Sequence, residues 1–321
     1  MSDKDLNLAT LAGMFANETH AREFVEAKRW PNGPVCPFCQ SQAIYTLTPK
    51  PGSTSPVRAG VYKCKACRKQ FTVRVGTIFE DSHIPISKWL MAIHLMTSSK
   101  KGISSHQLSR ELGITLKSAW FLSHRVREAM RQEPMLGLLS GTVEVDETYV
   151  GGKPRPQNHP VEGEARKTKR GRGTDKQPVM VLVERDGSVR AMPIERVDSN
   201  TLKQAIRENV DPSSTIMTDQ WSAYQGIGEE FEGGHHTVNH SQKEYVRYTE
   251  DGGEFISTNT GESYFALLKR GHYGIFHQLS KKHLHRYCDE FTFRWDHRKV
   301  TDGEHMVAVI RAAKGKRLMY G

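Results

Sequence analysis

No long apolar run occurs in this sequence. None of its 321 residues falls in a stretch approaching the roughly 18–20 apolar positions needed to cross a bilayer, so no membrane-spanning helix is expected. The opening segment MSDKDLNLATLAGMF carries acids where a secretory leader has a basic region followed by an apolar one. The expected location is therefore the reducing cytoplasm. There is no internal repeat and no heptad array, which excludes solenoids and coiled coils. Cysteine is scarce, with five residues, and a disulfide framework is not expected in a cytosolic chain of this length. Acid is also in short supply: 36 Asp and Glu against 46 Lys and Arg give a formal charge of +10. An excess of that size favours a polyanionic partner and says nothing about fold. The hydrophobic fraction of 37% still allows real cores, and the length suits two or three modules.

Four of the five cysteines form two Cys-x-x-Cys pairs, Cys36/Cys39 in CPFC and Cys64/Cys67 in CKAC. Each pair is a tight corner presenting two thiolates, and two corners complete a tetrahedral zinc site. Such a site is closed, so its metal serves folding and does no chemistry. A redox dithiol instead comes as one pair in a β-α-β setting, which is absent here. Val35, Phe38, Tyr62 and Phe71 flank the knuckles and are expected to form a miniature core. Cys288, in HRYCDEF, reads as a small buried hydrophobe.

Helical periodicity runs from Ile86 to about Arg131. Within it, KGISSHQLSRELGITLKSAWFLSHRVREAM has the layout of a helix-turn-helix. Ser104 or Ser105 caps a first helix, Gly113 ends it, and Thr115 caps the second. With Ala119, Leu122 and Val126 facing inward, Lys117, Ser118, Arg125 and Arg127 are left for a DNA-facing surface. The segment 153–177 is nearly free of large apolar groups and contains RKTKRGR. It reads as a basic loop, and Lys169, Arg170 and Arg172 are its candidate phosphate contacts.

Three acids stand apart from the rest. GTVEVDETYVGGK is an apolar strand that ends on Asp146 and Glu147 just before a Gly-Gly turn, and STIMTDQWSAY is a second strand ending at Asp219. In ISTNTGESYFALLKRGHYG, Glu262 opens a helix that Asn259 or Thr260 could cap, and Lys269 lies two turns further along the same face. Strand alternation turns Glu147 away from Asp146. Between the acidic strands lie strand patterns at 179–187 and 189–197 and a helical one at 199–210. This order brings the acids over one face of a mixed sheet, where separated carboxylates can hold two divalent ions about 3.5–4 Å apart. Asp198, Glu250 and Glu254 are alternative ligands in turn-like or exposed settings.

VEVDETYVGGK, TDQWSAY and NTGESYFALLKRGHYGIFHQLSKKHLHRYCDEFTFRWDHR resemble the transposase domain of bacterial insertion sequences of the ISXO type, which carry an N-terminal zinc ribbon. The resemblance extends to RWPNGPVCPFCQ and GTIFEDSHIPISKWLMAIHLM. It implies an RNase H-like catalytic fold of the DDE type, with Asp146, Asp219 and Glu262 holding Mg²⁺ or Mn²⁺, two ions per site. It also implies Lys269 as a basic residue contacting DNA. The expected architecture is α/β: a helical segment (1–30), a zinc ribbon (31–80), a helix-turn-helix (84–132), a catalytic domain (138–305) and a tail (306–321). The implied function is metal-dependent cleavage and strand transfer at terminal inverted repeats, by a homodimer or higher assembly on double-stranded DNA in a bacterial nucleoid. The zinc-ribbon and helix-turn-helix modules alone would make a DNA-binding regulator. A structure-specific nuclease of RNase H-like type is the other alternative.

Overall fold

The computed structural model describes residues 2–48, 57–131, 137–152, 174, 176–242, 244–248 and 255–319. The chain divides into two units, one of residues 1–131 with 299–321 and one of residues 132–298.

The first unit begins with helices α1 (Leu8–Phe15) and α2 (Glu18–Arg29), started by the side chains of Asn7 and Asn17, which accept from the first-turn amides. A small antiparallel sheet follows, made of β1 (Ile44–Thr46), β2 (Tyr62–Cys64) and β3 (Gln70–Phe71). Helices α3 (Ile86–Ser98), α4 (Ser105–Leu112) and α5 (Leu116–Met130) come next. The buried face of α3 carries Trp89, Leu90, Ile93 and Met96.

One last helix completes this unit. Residues 306–321, expected as a tail, instead supply most of α9 (Asp302–Ala312), so the expected boundary at 305 falls inside a helix. Met306, Val307, Val309 and Ile310 are buried at helical spacing, and α9 packs against α2, α3 and α5. A stripe that apolar has to be covered, and helices of the first unit cover it. Thr301 and Glu304 form the capping box that starts the helix. Further on, the buried Lys316 donates to the carbonyls of Ala129 and Arg131, a cation at the C-terminus of α5.

The second unit is built on β4 (Thr142–Val150), β5 (Gln177–Glu184), β6 (Val189–Pro193), β7 (Thr215–Asp219) and β8 (His235–Val238). Their order in the sheet is β6-β5-β4-β7-β8, antiparallel through β6, β5 and β4, then parallel through β7 and β8. This is the mixed sheet of an RNase H-like fold. Helix α6 (Ser199–Asn209) links β6 to β7. The two-residue strands β9 (Arg247–Tyr248) and β10 (Phe255–Ile256) pair ahead of α7 (Asn259–Gly271), and α8 (Leu284–Asp296) follows.

Strand alternation sorts the side chains into two cores. Val143, Val145, Met180 and Leu182 pack with Leu202 and Ile206 of α6 and with Tyr224. Val150, Val179, Val181 and Val183 pack with Tyr264, Phe265 and Leu268 of α7 and with Cys288 and Phe291 of α8. Cys288 is thus the buried hydrophobe its context suggested. Even-numbered residues of β4 face α7, and that face holds Asp146.

Candidate metal centres and nucleic-acid surface

Strand β4 runs on to Val150, still paired with β5, so Asp146 sits in mid-strand and not at a strand end as expected. Its level in the sheet is set by β7. Glu144 is the Cα partner of Met217 across the parallel β4–β7 ladder, and two residues further along each strand come Asp146 and Asp219. Neighbouring strands lie about 4.8 Å apart, so the two aspartates are adjacent on the α7 face. Helix α7 crosses directly above. A Cβ added to Gly261 would touch Asp146 Cβ at 3.5 Å and Val181 Cγ1 at 3.7 Å. The next residue is Glu262, which is exposed, with Lys269 partly buried two turns along.

The carboxyl of Asp146 responds to its burial and to the charges round it. Burial, foremost, and then the charges of Asp219 and Glu262 push its carboxyl up to about 7, against the Glu147 backbone N–H and Lys269, which pull it down. The N–H of Glu147 donates to Asp146 Oδ1 at 2.7 Å. Glu147 itself points to the opposite face and accepts from the Tyr224 hydroxyl. Three acids crowding one partly buried face suit a cation. Among the described residues, the oxygens of Asp146, Asp219 and Glu262 do not all lie within 4.8 Å of one another.

The N-cap of α7 is Thr258, whose side chain makes no capping bond, so neither Asn259 nor Thr260 has the expected role. Glu144, a residue to which the sequence drew no notice, accepts from the amides of Thr260 at 2.8 Å and Gly261 at 3.3 Å. A carboxylate between Val143 and Val145 in a strand covered on both faces was the available signal.

In the first unit the four cysteine sulfurs lie within 4.8 Å of one another. Cys36 Sγ is 3.6 Å from Cys67 Sγ, and Cys39 Sγ is 3.6 Å from Cys64 Sγ. Tetrahedral zinc with bonds of about 2.3 Å separates its sulfurs by about 3.8 Å, so the set fits that ion. The Cys67 backbone N–H, 3.5 Å from the Cys64 sulfur, leads in drawing the Cys64 thiol down to about 6, towards the thiolate a metal needs. The miniature core is Cys36, Cys64 and Phe71 with Trp30, Ile44, Tyr62, Cys67 and Val75 packed round it. Phe38 does not join it: the ring is 48% exposed, under the Lys69 ammonium.

Residues 138–296 match the family described as the ISXO2-like transposase domain, and residues 16–70 match the transposase zinc-ribbon domain. The chain belongs to the ISXO2-like transposases. A protein of the transposable element ISH50 from Halobacterium salinarum, described as uncharacterized, is 28% identical over 314 residues, spanning 93% of this chain and 98% of that one. Among solved structures, a pre-cleavage Mos1 transpososome is similar at 12% identity over 67% of this chain and 75% of its own, with a TM-score of 0.27. A Mos1 strand transfer complex is similar at 11% identity over 72% and 79% of the two chains, with a TM-score of 0.28.

In this transposase, α4 and α5 form a tight helix pair. Ser104 accepts from Gln107 N, Gly113 ends α4 at a φ of 58°, and Thr115 accepts from Ser118 N at the start of α5. Lys117 is exposed and Ser118 partly so, both at the N-terminal end of α5. Arg125 and Arg127 are not on that surface. Arg125 is buried and donates to the carbonyls of Ile78 and Glu80, and Arg127 is buried with a bond to Ser123 Oγ. Helices α3, α4 and α9 all pack against α5, and the 78–80 segment takes the Arg125 guanidinium, so the later turns of α5 leave no open face for either arginine. Lys169, Arg170 and Arg172 lie outside the described residues, as do Glu250 and Glu254. Among the described residues, no helix is long and apolar enough to cross a membrane.

Proposed function

We propose that this transposase binds the terminal inverted repeats of its own element, cuts them to expose 3′-hydroxyls and joins those ends to target DNA. The observation carrying this reading is the shared level of Asp146 and Asp219 on adjacent parallel strands, beneath the α7 turn that bears Glu262. Asp146, Asp219 and Glu262 are the residues to hold Mg²⁺ or Mn²⁺. A bound pair would supply Lewis acidity at the attacking and leaving oxygens of a phosphodiester. Asp146 and Asp219 then act as fixed anionic donors, and Lys269 supplies a cation on the same helix for a phosphate or an end base pair. Lys117 and Ser118, at the start of α5, are the groups placed to reach base edges or phosphates. Lys169, Arg170 and Arg172 would add phosphate contacts. One Zn²⁺ held by Cys36, Cys39, Cys64 and Cys67 serves folding of the ribbon. Because two DNA ends must be joined at once, the working form is a dimer or larger assembly on DNA.

The test is to incubate the full chain with the ends of its element and Mg²⁺ and to map strand breaks and joined products. Cleavage at the element boundary followed by joining is the expected result. Asp219→Asn should abolish both while leaving end binding within about threefold. Cleavage indifferent to terminal sequence and without joining would make the chain a nuclease. Wild-type binding with no cleavage under Mg²⁺ or Mn²⁺ would make it a regulator.

A further inference from the structure

Glu144 has no exposed side-chain surface, yet it carries four hydrogen bonds. Thr260 N, Thr260 Oγ1 and Gly261 N donate to it from the first turn of α7, at 2.8, 2.9 and 3.3 Å. The fourth comes from Arg185 Nε at 2.9 Å. Arg185 follows the end of β5 and reaches several elements at once. It donates to the Phe255 carbonyl at 2.6 Å and to the Ser257 carbonyl and hydroxyl at 3.4 Å, and lies 3.1 Å from Met217 Sδ. Its guanidinium also stands 4.1 Å over the Phe255 ring.

The placement of these contacts along the chain is the telling feature. Glu144 precedes Asp146 by two residues on β4, and Met217 precedes Asp219 by two on β7. Thr260 and Gly261 immediately precede Glu262 on α7. A single buried ion pair therefore touches all three elements that carry the proposed ligands, on the ligand side of each. Helix α7 makes no side-chain cap of its own at Thr258, so its position over β4 is held by a carboxylate on its positive end. Both oxygens of that carboxylate are used, one on the backbone amides and the other on Arg185 and the Thr260 hydroxyl. A neutral amide at position 144 has only one acceptor oxygen and turns N–H donors towards other donors.

We propose that Glu144 and Arg185 are positioning residues that set the distance from Glu262 to Asp146 and Asp219, and so decide whether the three acids can hold divalent ions. The inference rests on the metal-site reading given above. The pair touches neither DNA nor metal and acts through the seating of α7.

The experiment uses the full chain and Mn²⁺ alone, with binding followed by electron paramagnetic resonance and amide exchange at Thr260 and Gly261 followed by mass spectrometry. Glu144→Gln and Arg185→Lys should each weaken Mn²⁺ binding about 10–100-fold, the range seen when groups that orient metal ligands are altered. Exchange at the two amides should rise at least about tenfold in Glu144→Gln, because one acceptor oxygen without charge cannot serve Arg185 and both N–H groups as the two carboxylate oxygens do. Cleavage by Glu144→Gln should recover partly as Mn²⁺ is raised, which a merely loosened fold would not show. If Glu144→Gln does not fold, Thr260→Val removes one bond to the carboxylate while leaving it paired, and with Arg185→Lys it carries the same measurement. Mn²⁺ affinity within twofold of wild type in both folded variants overturns the inference. An Asp146→Ala control separates the two levels. Binding that survives it removes the metal-site reading and this inference with it. Binding lost there but kept in Glu144→Gln and Arg185→Lys overturns this inference alone.

Discussion

The carboxyl of Asp146 is held near 7 first by burial and then by two neighbouring acids, and that has a consequence for stability. A folded-state pKa raised from the ordinary 3.8 to about 7 means that the folded chain holds more protons than the unfolded one between those values. Stability therefore falls as pH climbs through that window and levels off above it. In chelator, Asp146→Asn should raise the melting stability by on the order of 2–4 kcal/mol at pH 8, with the advantage shrinking to nothing as pH falls towards 4. Thermal melts across pH measure this, and a pH-independent difference would exclude the cause given. Arg125 presents a different case at the same scale. Its guanidinium is committed to the carbonyls of Ile78 and Glu80, so Arg125→Ala should cost about 2–4 kcal/mol of stability. Affinity for DNA ends, corrected for folded fraction, should stay within about twofold. A selective loss of affinity with normal stability would return Arg125 to the DNA surface.

Among the elements, α5 and the ribbon make separate predictions. Only the first turn of α5 is open, so Lys117→Ala should fold normally and weaken end binding, lowering the slope of log affinity against log salt by about one. An unchanged slope would mean that Lys117 meets no phosphate. In the ribbon, among the described residues, the core against the three strands of two or three residues has Cys36, Cys64 and Phe71 as its buried members. A core that small does not hold a fold without a staple. Cys36→Ser should lose bound zinc, measured by elemental analysis, and the protease resistance of residues 30–75. Wild-type resistance in a zinc-free variant would show that the sheet stands without metal. The ribbon was legible because two knuckles at fixed spacing leave little else to build. The seating of α7 was not, because its cap comes from a strand more than a hundred residues earlier.

For the whole molecule, the decisive feature is that the chain leaves the first unit at 131 and returns to it at 299. The fold of that unit is thus closed by its last helix. Removing residues 302–321 should uncover the apolar faces of α3 and α5, and Met306→Ala alone should cost about 2–5 kcal/mol. Calorimetry should show the transition of the first unit lowered and that of the second unit unchanged, since the two core clusters of the second unit contain no residue of α9. Equal shifts in both would contradict the division. The expected boundary at 305 failed because local pattern shows that Met306, Val307, Val309 and Ile310 want a cover without showing which unit provides it.

What the sequence determined by itself is whatever depends on short-range spacing: the two cysteine knuckles, the alternation that puts Asp146 and Glu147 on opposite faces, the cap at Thr115, and the helical register of Glu262 and Lys269. These follow from the geometry of a few consecutive residues and need no distant partner. Tertiary structure alone decided the level at which β4 and β7 pair, the burial of Arg125 against the 78–80 segment and of Arg127 beside Ser123, and the Glu144–Arg185 pair beneath α7. Each of those depends on where remote segments come to rest, and a charged side chain reads the same in sequence whether it meets water or the end of a helix.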